Sequence, residues 1–500
     1  MTKLRPYQNN ALDRLREAMR AGSKAPILHA PTGAGKTVIA AELIRLANEK
    51  GSRCLFVCDA VELIEQTSRK LTDAGVAQHG VIQGGHWRSR PQHNVQIATV
   101  QTMHQRRDTL RHDYDLVIFD ECHTAISQSF LALRARIIDA NPKAYFVGLT
   151  ATPYRTDGVG LGELFDSIIK VSGVKQLIDC GALVPCRLVF RDDISFSSLP
   201  VDTRTGDFRP RELAEFMRSL KVADGIVSRY ETHAKGRPFL LFAWSVESSK
   251  EIAEDFRNHG YAVEHIDGKT CAAERARIVR ELCEGTLDGV CNFGCLTKGF
   301  DAPRVSCVIA LRPTLSRCLW RQMLGRGSRP SPGKSDFLLI DNAAWSVLHG
   351  VFTDEDDVSL TGMRTQEEKK EREPRCGFCS GRLKYPLPDS CPHCGHRIDK
   401  RRPKEAGDEI VEIPTMMEMT EDEFRAARDE FDAQTFSRMV RRFASNGTSS
   451  DFTRQAAIFK GRFGRWPPSS VGRWRRDKDT GKNCFMVEPS TMSISGGGRG

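Results

Sequence analysis

The chain has 500 residues, of which 40% are hydrophobic and 28% charged, a composition typical of a globular protein with two or more domains. We expect no membrane segment or signal peptide, because no apolar run approaches the roughly 20 residues that a spanning helix needs. The net charge of +10 lies mainly in residues 431–500, which hold 13 Lys and Arg against 5 Asp and Glu. Such a basic tail favours nucleic acid over membrane as a partner, although a solubilising surface explains it nearly as well.

Short apolar segments alternate with helix-like segments in two blocks of the sequence. The first block contains APILHA, RCLFVC, NVQIATV, YDLVIFD and AYFVGLT, and the second contains RPFLLFA, YAVEHID, DGVCNFG, VSCVIALR and SDFLLID. Strands that alternate with helices of about ten to fifteen residues indicate parallel sheets covered on both faces. The sequence therefore predicts an α/β fold with two doubly wound, parallel-sheet domains in tandem.

Changes in composition set the predicted boundaries. Charge runs such as TDEDD and QEEKKEREP indicate linkers between the folded parts. The predicted segments are domain one (1–172), a connector with helical content around 210–232 (173–231), domain two (232–345), a charged linker (346–374), a cysteine module (375–400), a second linker (401–424), a basic, mainly helical region (425–488) and a disordered tail (489–500).

The segment HAPTGAGKT, residues 29–37, predicts a phosphate site. A glycine-rich turn before a helix directs backbone N–H groups and the positive end of the helix dipole at phosphate. Lys36 would reach the β- and γ-phosphates of a nucleotide, and the Thr37 hydroxyl would ligate Mg²⁺. Ala30 stands where the common pattern has its first glycine, and an ordinary strand-to-helix turn is the alternative. The predicted binding residues are Thr32, Gly33, Ala34, Gly35, Lys36 and Thr37.

The segment LVIFDECH supplies two adjacent carboxylates at the end of an apolar strand. A phosphate loop needs a second metal ligand and a group that orients the attacking water. We expect Asp120 to hold Mg²⁺ and Glu121 to act as the general base. Two acids after a strand also occur as simple helix caps, which the upstream phosphate loop makes the minor alternative.

These residues resemble a known family. Asp-Glu-Cys-His resembles the DExH box of superfamily 2 (DEAD/DEAH-like) helicases, and RPYQ, TVQTM, TATP, LTKGFDAP and QMLGRGSR resemble five further motifs in the family's order. The sequences of these motifs are most similar to those of phage and bacterial DNA helicases related to restriction-enzyme translocating subunits. The resemblance implies two RecA-like domains, ATP hydrolysis with Mg²⁺, and the cytoplasm of a bacterial or phage-infected cell.

The resemblance also implies roles for single residues. Gln8 would read the adenine, with Arg5 beside it. In the second domain, Gly299 and Asp301 would face the nucleotide, and Gln322 would contact the same region near His123. The family places its last motif across the ATP from the first domain, so Arg326 and Arg329 would stabilise charge on the γ-phosphate. A solvated basic helix end, or arginines that contact DNA, is the alternative.

The function implied by the resemblance is an ATP-dependent nucleic-acid helicase or translocase. DNA is favoured as the substrate, held by its phosphate backbone without sequence specificity. By resemblance, Thr99, Gln101 and Arg155 are the candidate contacts. The alternatives are an RNA helicase, a nucleic-acid-binding adaptor whose ATPase is a conformational switch, and a phosphotransferase that acts on a small molecule.

The sixteen cysteines, in a chain without a secretion signal, indicate a reducing cytoplasm. Four of them form two C-x2-C pairs separated by eleven residues, a spacing typical of a structural Zn²⁺ site in a zinc ribbon, with a redox dithiol as the alternative. The ribbon would help to bind nucleic acid or a protein partner. Aromatics interleaved with arginines in the basic region suit nucleic-acid binding, or equally a small helical domain. The predicted zinc ligands are Cys376, Cys379, Cys391 and Cys394.

Overall fold

The chain forms two compact units. The first comprises residues 1–194, 199–369 and 413–418, and the second comprises residues 195–198, 370–412 and 419–500. The computed structural model describes residues 4–58, 60–124, 127–154, 160–190, 196, 199–202, 205–296, 301–355, 359–361, 417–426, 472–476 and 483–487.

The first sheet has seven strands in the order β3-β4-β2-β5-β6-β1-β7, and every neighbouring pair is parallel. All residues of β1, β2, β4 and β5 are buried, because helices cover both faces of the sheet. Strand β1 lies between β6 and β7, so the loop that leaves it meets the loops from its neighbours at one edge. The strands are β1 (Pro26–His29), β2 (Cys54–Cys58), β3 (Gly80–Ile82), β4 (Val95–Thr99), β5 (Leu116–Phe119), β6 (Tyr145–Thr150) and β7 (Ser167–Lys170).

The second sheet also has seven strands, in the order β10-β11-β9-β12-β13-β8-β14. The pairs from β10 to β8 are parallel. Its strands are β8 (Cys186–Phe190), β9 (Phe239–Phe242), β10 (Val263–Ile266), β11 (Gly289–Asn292), β12 (Cys307–Ala310), β13 (Phe337–Asp341) and β14 (Met417–Thr420).

Among the described residues, helices α1 to α12 and one 3₁₀ turn, Cys122–Thr124, accompany these strands, and residues 421–426 are helical as well. None of the described helices is both long and apolar enough to cross a bilayer. The helices are α1 (Pro6–Arg20), α2 (Lys36–Asn48), α3 (Glu62–Asp73), α4 (Val100–Gln105), α5 (Gln128–Ala140), α6 (Val174–Asp179), α7 (Pro210–Ser219), α8 (Ile226–Ala234), α9 (Val246–Asn258), α10 (Ala272–Glu284), α11 (Arg317–Gly327) and α12 (Trp345–His349).

The two predicted parallel-sheet domains are confirmed, and each of the ten predicted apolar segments contains a strand. Three strands that lie within the two blocks or the connector were not predicted. β3 has three residues, β7 is only half-buried, and β8 lies inside the segment 173–231, where it pairs with β13. Short or edge strands carry too little periodicity to stand out in a sequence.

Parts of the predicted linkers and of the predicted basic region have regular structure. Val351 and Phe352, in the segment expected to be a solvated linker, are buried, and the Phe352 ring packs on Phe337. β14 lies within the second predicted linker. In the region 425–488, predicted to be mainly helical, ten of the described residues are strands, because β15 (Gly472–Arg476) and β16 (Asn483–Val487) form an antiparallel pair. Phe485 and Val487 in β16, and Trp474 in β15, are of residue types that favour strands.

Candidate active site

The loop of residues 30–35, here called the phosphate loop, connects β1 to α2. Its start is fixed to β6, because Ala30 N donates to Thr150 O at 3.0 Å. Gly33 and Gly35 have backbone φ values of +89° and +84°, which residues other than glycine rarely adopt. Helix α2 begins directly after them at Lys36. Lys36 Nζ lies 3.1 Å from the loop's own Ala30 O. The N-terminus of a 13-residue helix thus opens into a glycine-lined turn, which is an anion-binding arrangement.

The beginning of α1 is bonded to the phosphate loop. Gln8 Oε1 accepts from Arg5 N at 2.9 Å, and Gln8 Nε2 donates to Ala34 O at 3.2 Å. Tyr7 Oη donates to the same carbonyl at 3.1 Å. A Cβ on Gly35 would stand 2.4 Å from Gln8 Nε2, so this approach requires glycine. A cleft of about 620 Å³ opens beside these residues, lined by Arg5, Pro6, Tyr7, Asn10, Val171, Ser172, Gln176 and Cys180.

The two predicted carboxylates follow β5 directly. Glu121 has φ +49°, a conformation that is uncommon for a residue with a side chain and that occurs at active sites. Its N–H donates to Asp120 Oδ1 at 3.1 Å, and its Oε2 lies 3.3 Å from His123 Nδ1. Burial raises the pKa of the Cys122 thiol, with the Glu121 and Asp120 carboxylates acting in the same direction and Lys36 in the opposite one. The lysine of the phosphate loop and both carboxylates therefore share one electrostatic environment.

Helix α11 of the second sheet is buried despite its polar sequence. Every residue from Trp320 to Gly327 is buried. Leu319, just before this run, is half-buried. A Cβ on Gly325 would stand 2.6 Å from Thr32 Cβ, and a Cβ on Gly33 would stand 3.9 Å from Arg329 Cγ. The C-terminal half of α11 therefore lies directly against the phosphate loop. A solvated basic helix end does not describe this arrangement.

His123 connects three of the motifs. Its Nδ1 lies 2.9 Å from Thr150 Oγ1, and that hydroxyl donates to Thr152 O at 2.8 Å. On the other side of the ring, Nε2 lies 3.2 Å from Cys318 Sγ on α11. The sequence predicted Gln322 near His123, whereas the residue of α11 that contacts the His123 ring is Cys318. The two residues are four apart on one helix face, and this spacing was the signal that could have identified Cys318.

Arg326, in the last turn of α11, and Arg329, just after the helix, have different surroundings. Arg326 is 7% exposed. Burial and the neighbouring Arg329 lower the pKa of Arg326 to about 9, whereas Glu121 and Asp301 act in the opposite direction. Arg329 forms an ion pair with Asp301. Arg326 therefore remains a cation at neutral pH, inside the protein and within electrostatic reach of a carboxylate of the first sheet.

Buried polar atoms without a hydrogen bond among the described residues occur on both sides of the site. They include Glu121 Oε2 after β5 and Gln322 Nε2 on α11. A buried acceptor or donor without a partner costs about 1–3 kcal/mol, so such groups often mark a place where a ligand binds. Together with the glycine-lined turn, they fit a nucleotide whose phosphates lie between the two sheets.

Lys334, which belongs to none of the sequence motifs, holds the second half of the site together. Its Nζ lies within hydrogen-bond distance of four carbonyls that share its three N–H donors, those of Pro303 and Val305 after Asp301 and those of Gly327 and Arg329 at the end of α11. It thereby fixes the segment with Asp301 relative to the two arginines. A lone lysine in a turn has no sequence pattern that would reveal this contact.

The structure brings together most of the predicted nucleotide residues. Thr99 instead has a structural contact: it is buried and its hydroxyl accepts from Thr102 N at 3.2 Å as the N-cap of α4, whereas Gln101 is exposed. Among the described residues there is no cluster of potential metal ligands. The predicted residues that lie outside the described ones are Arg155, Gly299, Cys376, Cys379, Cys391 and Cys394.

Comparison with known proteins identifies the family. Residues 1–155 match the family "Type III restriction enzyme, res subunit", and residues 220–331 match the "Helicase conserved C-terminal domain". The 51.5 kDa protein of a Lactococcus phage (isolate 7-9) is 30% identical over 396 residues, which cover 77% of this chain and 82% of that protein.

Two further relatives are more distant. The Saccharomyces cerevisiae protein IRC3, named as a candidate ATP-dependent helicase, is 27% identical over 68% of this chain, which spans about half (51%) of its length. A fragment of a candidate HsdR subunit of a type I restriction enzyme from Vibrio vulnificus has the same fold, with a TM-score of 0.53 and 23% identity over 70% of this chain and 65% of that one. By its motifs, its two sheets and its relatives, the chain belongs to the superfamily 2 helicases.

Proposed function

We propose that the chain hydrolyses ATP in a site built from both sheets and couples hydrolysis to movement along nucleic acid, most favourably DNA. The observation that carries this proposal is the packing of α11 on the phosphate loop, which brings the buried Arg326 within electrostatic reach of Glu121. Family membership supports the same chemistry. A site divided between two domains can only be complete when they are closed, so hydrolysis and domain movement become linked.

Residues of the first sheet would bind the nucleotide and orient water. Lys36 and the backbone of the phosphate loop would hold the phosphates, and the cleft beside Tyr7 would receive the adenine, read by Gln8. Thr37 and Asp120 would hold Mg²⁺, which when bound neutralises charge on the β- and γ-phosphates. Glu121 would accept the proton of the attacking water, and its Oε2 has no hydrogen bond among the described residues.

Residues of the second sheet would stabilise the charge that develops on the γ-phosphate. Arg326 is buried on α11, and its guanidinium would contact the γ-phosphate. Gln322 has a buried Nε2 that would donate to the same group. The Asp301 carboxylate orients Arg329 through their ion pair. The contact of His123 with Thr150 and Cys318 gives a route by which a change at Glu121 would reach both the TATP motif, which begins at Thr150, and α11.

DNA is the proposed substrate because residues 1–155 match a restriction enzyme subunit, and restriction enzymes act on DNA. Binding would be through phosphates, independent of sequence and sensitive to salt. Gln101 and Arg155 remain proposed contacts. An RNA helicase and an ATPase adaptor that does not separate strands remain the alternatives.

The experiment is an ATPase assay of the full chain with single-stranded DNA, duplex DNA, forked DNA and RNA at matched salt. We expect stimulation by DNA that disappears in Lys36→Ala. Stimulation by RNA alone would favour an RNA helicase, and stimulation without strand separation or protein displacement would favour an adaptor. Turnover that no nucleic acid changes would contradict the proposal and favour a small-molecule phosphotransferase.

For the four paired cysteines we propose a structural zinc ribbon that binds nucleic acid or a protein partner. Metal analysis of the purified chain should give one zinc per chain, and Cys391→Ser with Cys394→Ser should abolish it. A chain that contains no zinc, and whose two pairs instead form disulfides reversibly, would support the redox alternative.

A further inference from the structure

Trp87 is the most exposed of the large hydrophobic side chains in the described residues, at 66% exposure. It lies in the segment of residues 83–94 between β3 and β4, here called the tryptophan loop. An exposed indole offers a large flat surface whose burial by a partner is favourable. Neither the ATP site nor the core of the sheet uses this side chain, so its exposure calls for a separate explanation.

The tryptophan loop is ordered by hydrogen bonds, so the exposure of Trp87 is a property of the fold. The buried Gln96 donates from Nε2 to Arg90 O at 2.9 Å and to His93 O at 2.8 Å. Val81 N donates to Arg88 O at 2.9 Å, and Arg88 Nη1 donates to Ala77 O at 3.1 Å. These contacts fix the loop against β3 and β4 and hold the indole outward.

The surroundings of Trp87 are cationic and aromatic. The Arg88 guanidinium lies 4.5 Å from the centre of the Trp87 ring, and the His86 ring stacks beside it at 5.9 Å. His86 pairs with Glu65 of α3 at 2.8 Å. In the sequence itself, no Asp or Glu occurs between Asp73 and Asp108, whereas this stretch contains Arg88, Arg90, Arg106 and Arg107. Such a surface favours an anionic partner with flat rings.

The position of the loop agrees with such a partner. β3 and β4 are parallel and in register, with Ile82 opposite Ala98. The tryptophan loop therefore leaves the sheet at the same edge as the exposed Gln101 after β4, one of the proposed nucleic-acid contacts. Arg106 extends this basic surface, since its Nη2 lies 3.2 Å from where a Cβ on Gly84 would stand.

We propose that Trp87 stacks on a base of single-stranded nucleic acid, with Arg88 and Arg106 beside the adjoining phosphates. This proposal rests on the proposed function, because it assigns a base-stacking contact to the same substrate. Bases in a duplex are already stacked on each other, so the contact selects single strands. Stacking also adds affinity beyond that of the phosphate contacts, and this added affinity requires bases but does not depend on their sequence.

The test compares the full chain with Trp87→Ala and Trp87→Phe, and uses two fluorescent probes of equal length. One probe is a single-stranded oligonucleotide, and the other is an abasic strand, which keeps the phosphates and lacks the bases. We expect Trp87→Ala to weaken binding of the normal strand by roughly five- to hundredfold, and Trp87→Phe to weaken it much less, since a phenyl ring still stacks. On the abasic strand, the three proteins should bind alike.

Leu131→Ala, at another exposed apolar position, is the matched control and should bind both probes as the unaltered chain does. ATPase without nucleic acid should be the same in every variant. Equal binding of the normal strand by Trp87→Ala and the unaltered chain would overturn the proposal and leave the surface to a protein partner. An equal loss on both probes would also overturn it. If the unaltered chain binds no strand at all, the proposed function fails with it.

Discussion

The phosphate loop and helix α11 hold their functional groups in opposite ways. In the loop, backbone N–H groups and the positive φ values of Gly33 and Gly35 form the site, so its shape is set within a few consecutive residues. In α11, long polar side chains are buried, and their positions depend on contacts with the other sheet, such as Gly325 on Thr32. We infer that the loop can bind nucleotide largely by itself, whereas turnover depends on how α11 packs.

The largest expected effect belongs to Arg326→Ala. Loss of an arginine that stabilises the transferring phosphoryl group lowers the rate by about 10³- to 10⁵-fold. Because the phosphate loop is unchanged, the dissociation constant for ATP should change little. Single-turnover hydrolysis and nucleotide-binding assays measure the two quantities, with Arg211→Ala on the exposed face of α7 as the control. A loss of ATP binding as large as the loss of turnover would contradict the proposal that the phosphate loop binds ATP largely by itself and that Arg326 acts only in hydrolysis.

Glu121→Gln should have the next largest effect. The amide cannot accept the proton of water, and a general base contributes about 10²- to 10⁴-fold. Its isosteric side chain should keep the strained turn and the contact near His123, so ATP should still bind. The rate of the chemical step and the ATP affinity are the measurements. A variant that retains full turnover would show that another group activates the water.

Gly325→Ala tests the contact between α11 and the phosphate loop. The added methyl group would meet Thr32 Cβ at 2.6 Å and displace the helix, and a misplacement of about 1 Å can lower turnover by roughly 10²-fold. Gly268→Ala is the matched control, since nothing lies within 4 Å of the added Cβ there. Steady-state ATPase distinguishes them. Equal activity of the two variants would mean that the close approach is not needed.

The smallest effect is expected for Lys334→Met. The change removes the donor for four carbonyls and should lower the free energy of unfolding by about 1–3 kcal/mol. Urea denaturation measures this, with the exposed Lys269→Met as the control. If stability is lost but turnover is not, Lys334 supports only the fold and does not position the arginines.

Features formed by consecutive residues, such as the phosphate loop, could be predicted from the sequence, whereas features that depend on packing, such as the contacts of α11, could not. The ten predicted strands are mostly buried and rich in apolar residues, and the phosphate loop and Asp120–Glu121 are local patterns, so both were recognisable. The contacts of Cys318 with His123 and of Gly325 with Thr32 join residues far apart in the chain. The helical spacing of Cys318 and Gln322 indicates only that they share a face, and nothing in the sequence indicates the contact of Gly325 with Thr32, because both contacts depend on tertiary packing. Lys334 and Trp87 are single residues whose roles only their surroundings reveal.

The central claim is that Glu121 of the first domain and Arg326 of the second act on the same phosphoryl group. A double-mutant cycle on the rate of hydrolysis tests it most directly, with Glu121→Gln, Arg326→Ala and the double variant. Residues that act as a unit give non-additive losses, so the double variant should be little slower than the slower single variant. Losses that multiply fully in the double variant would contradict the claim.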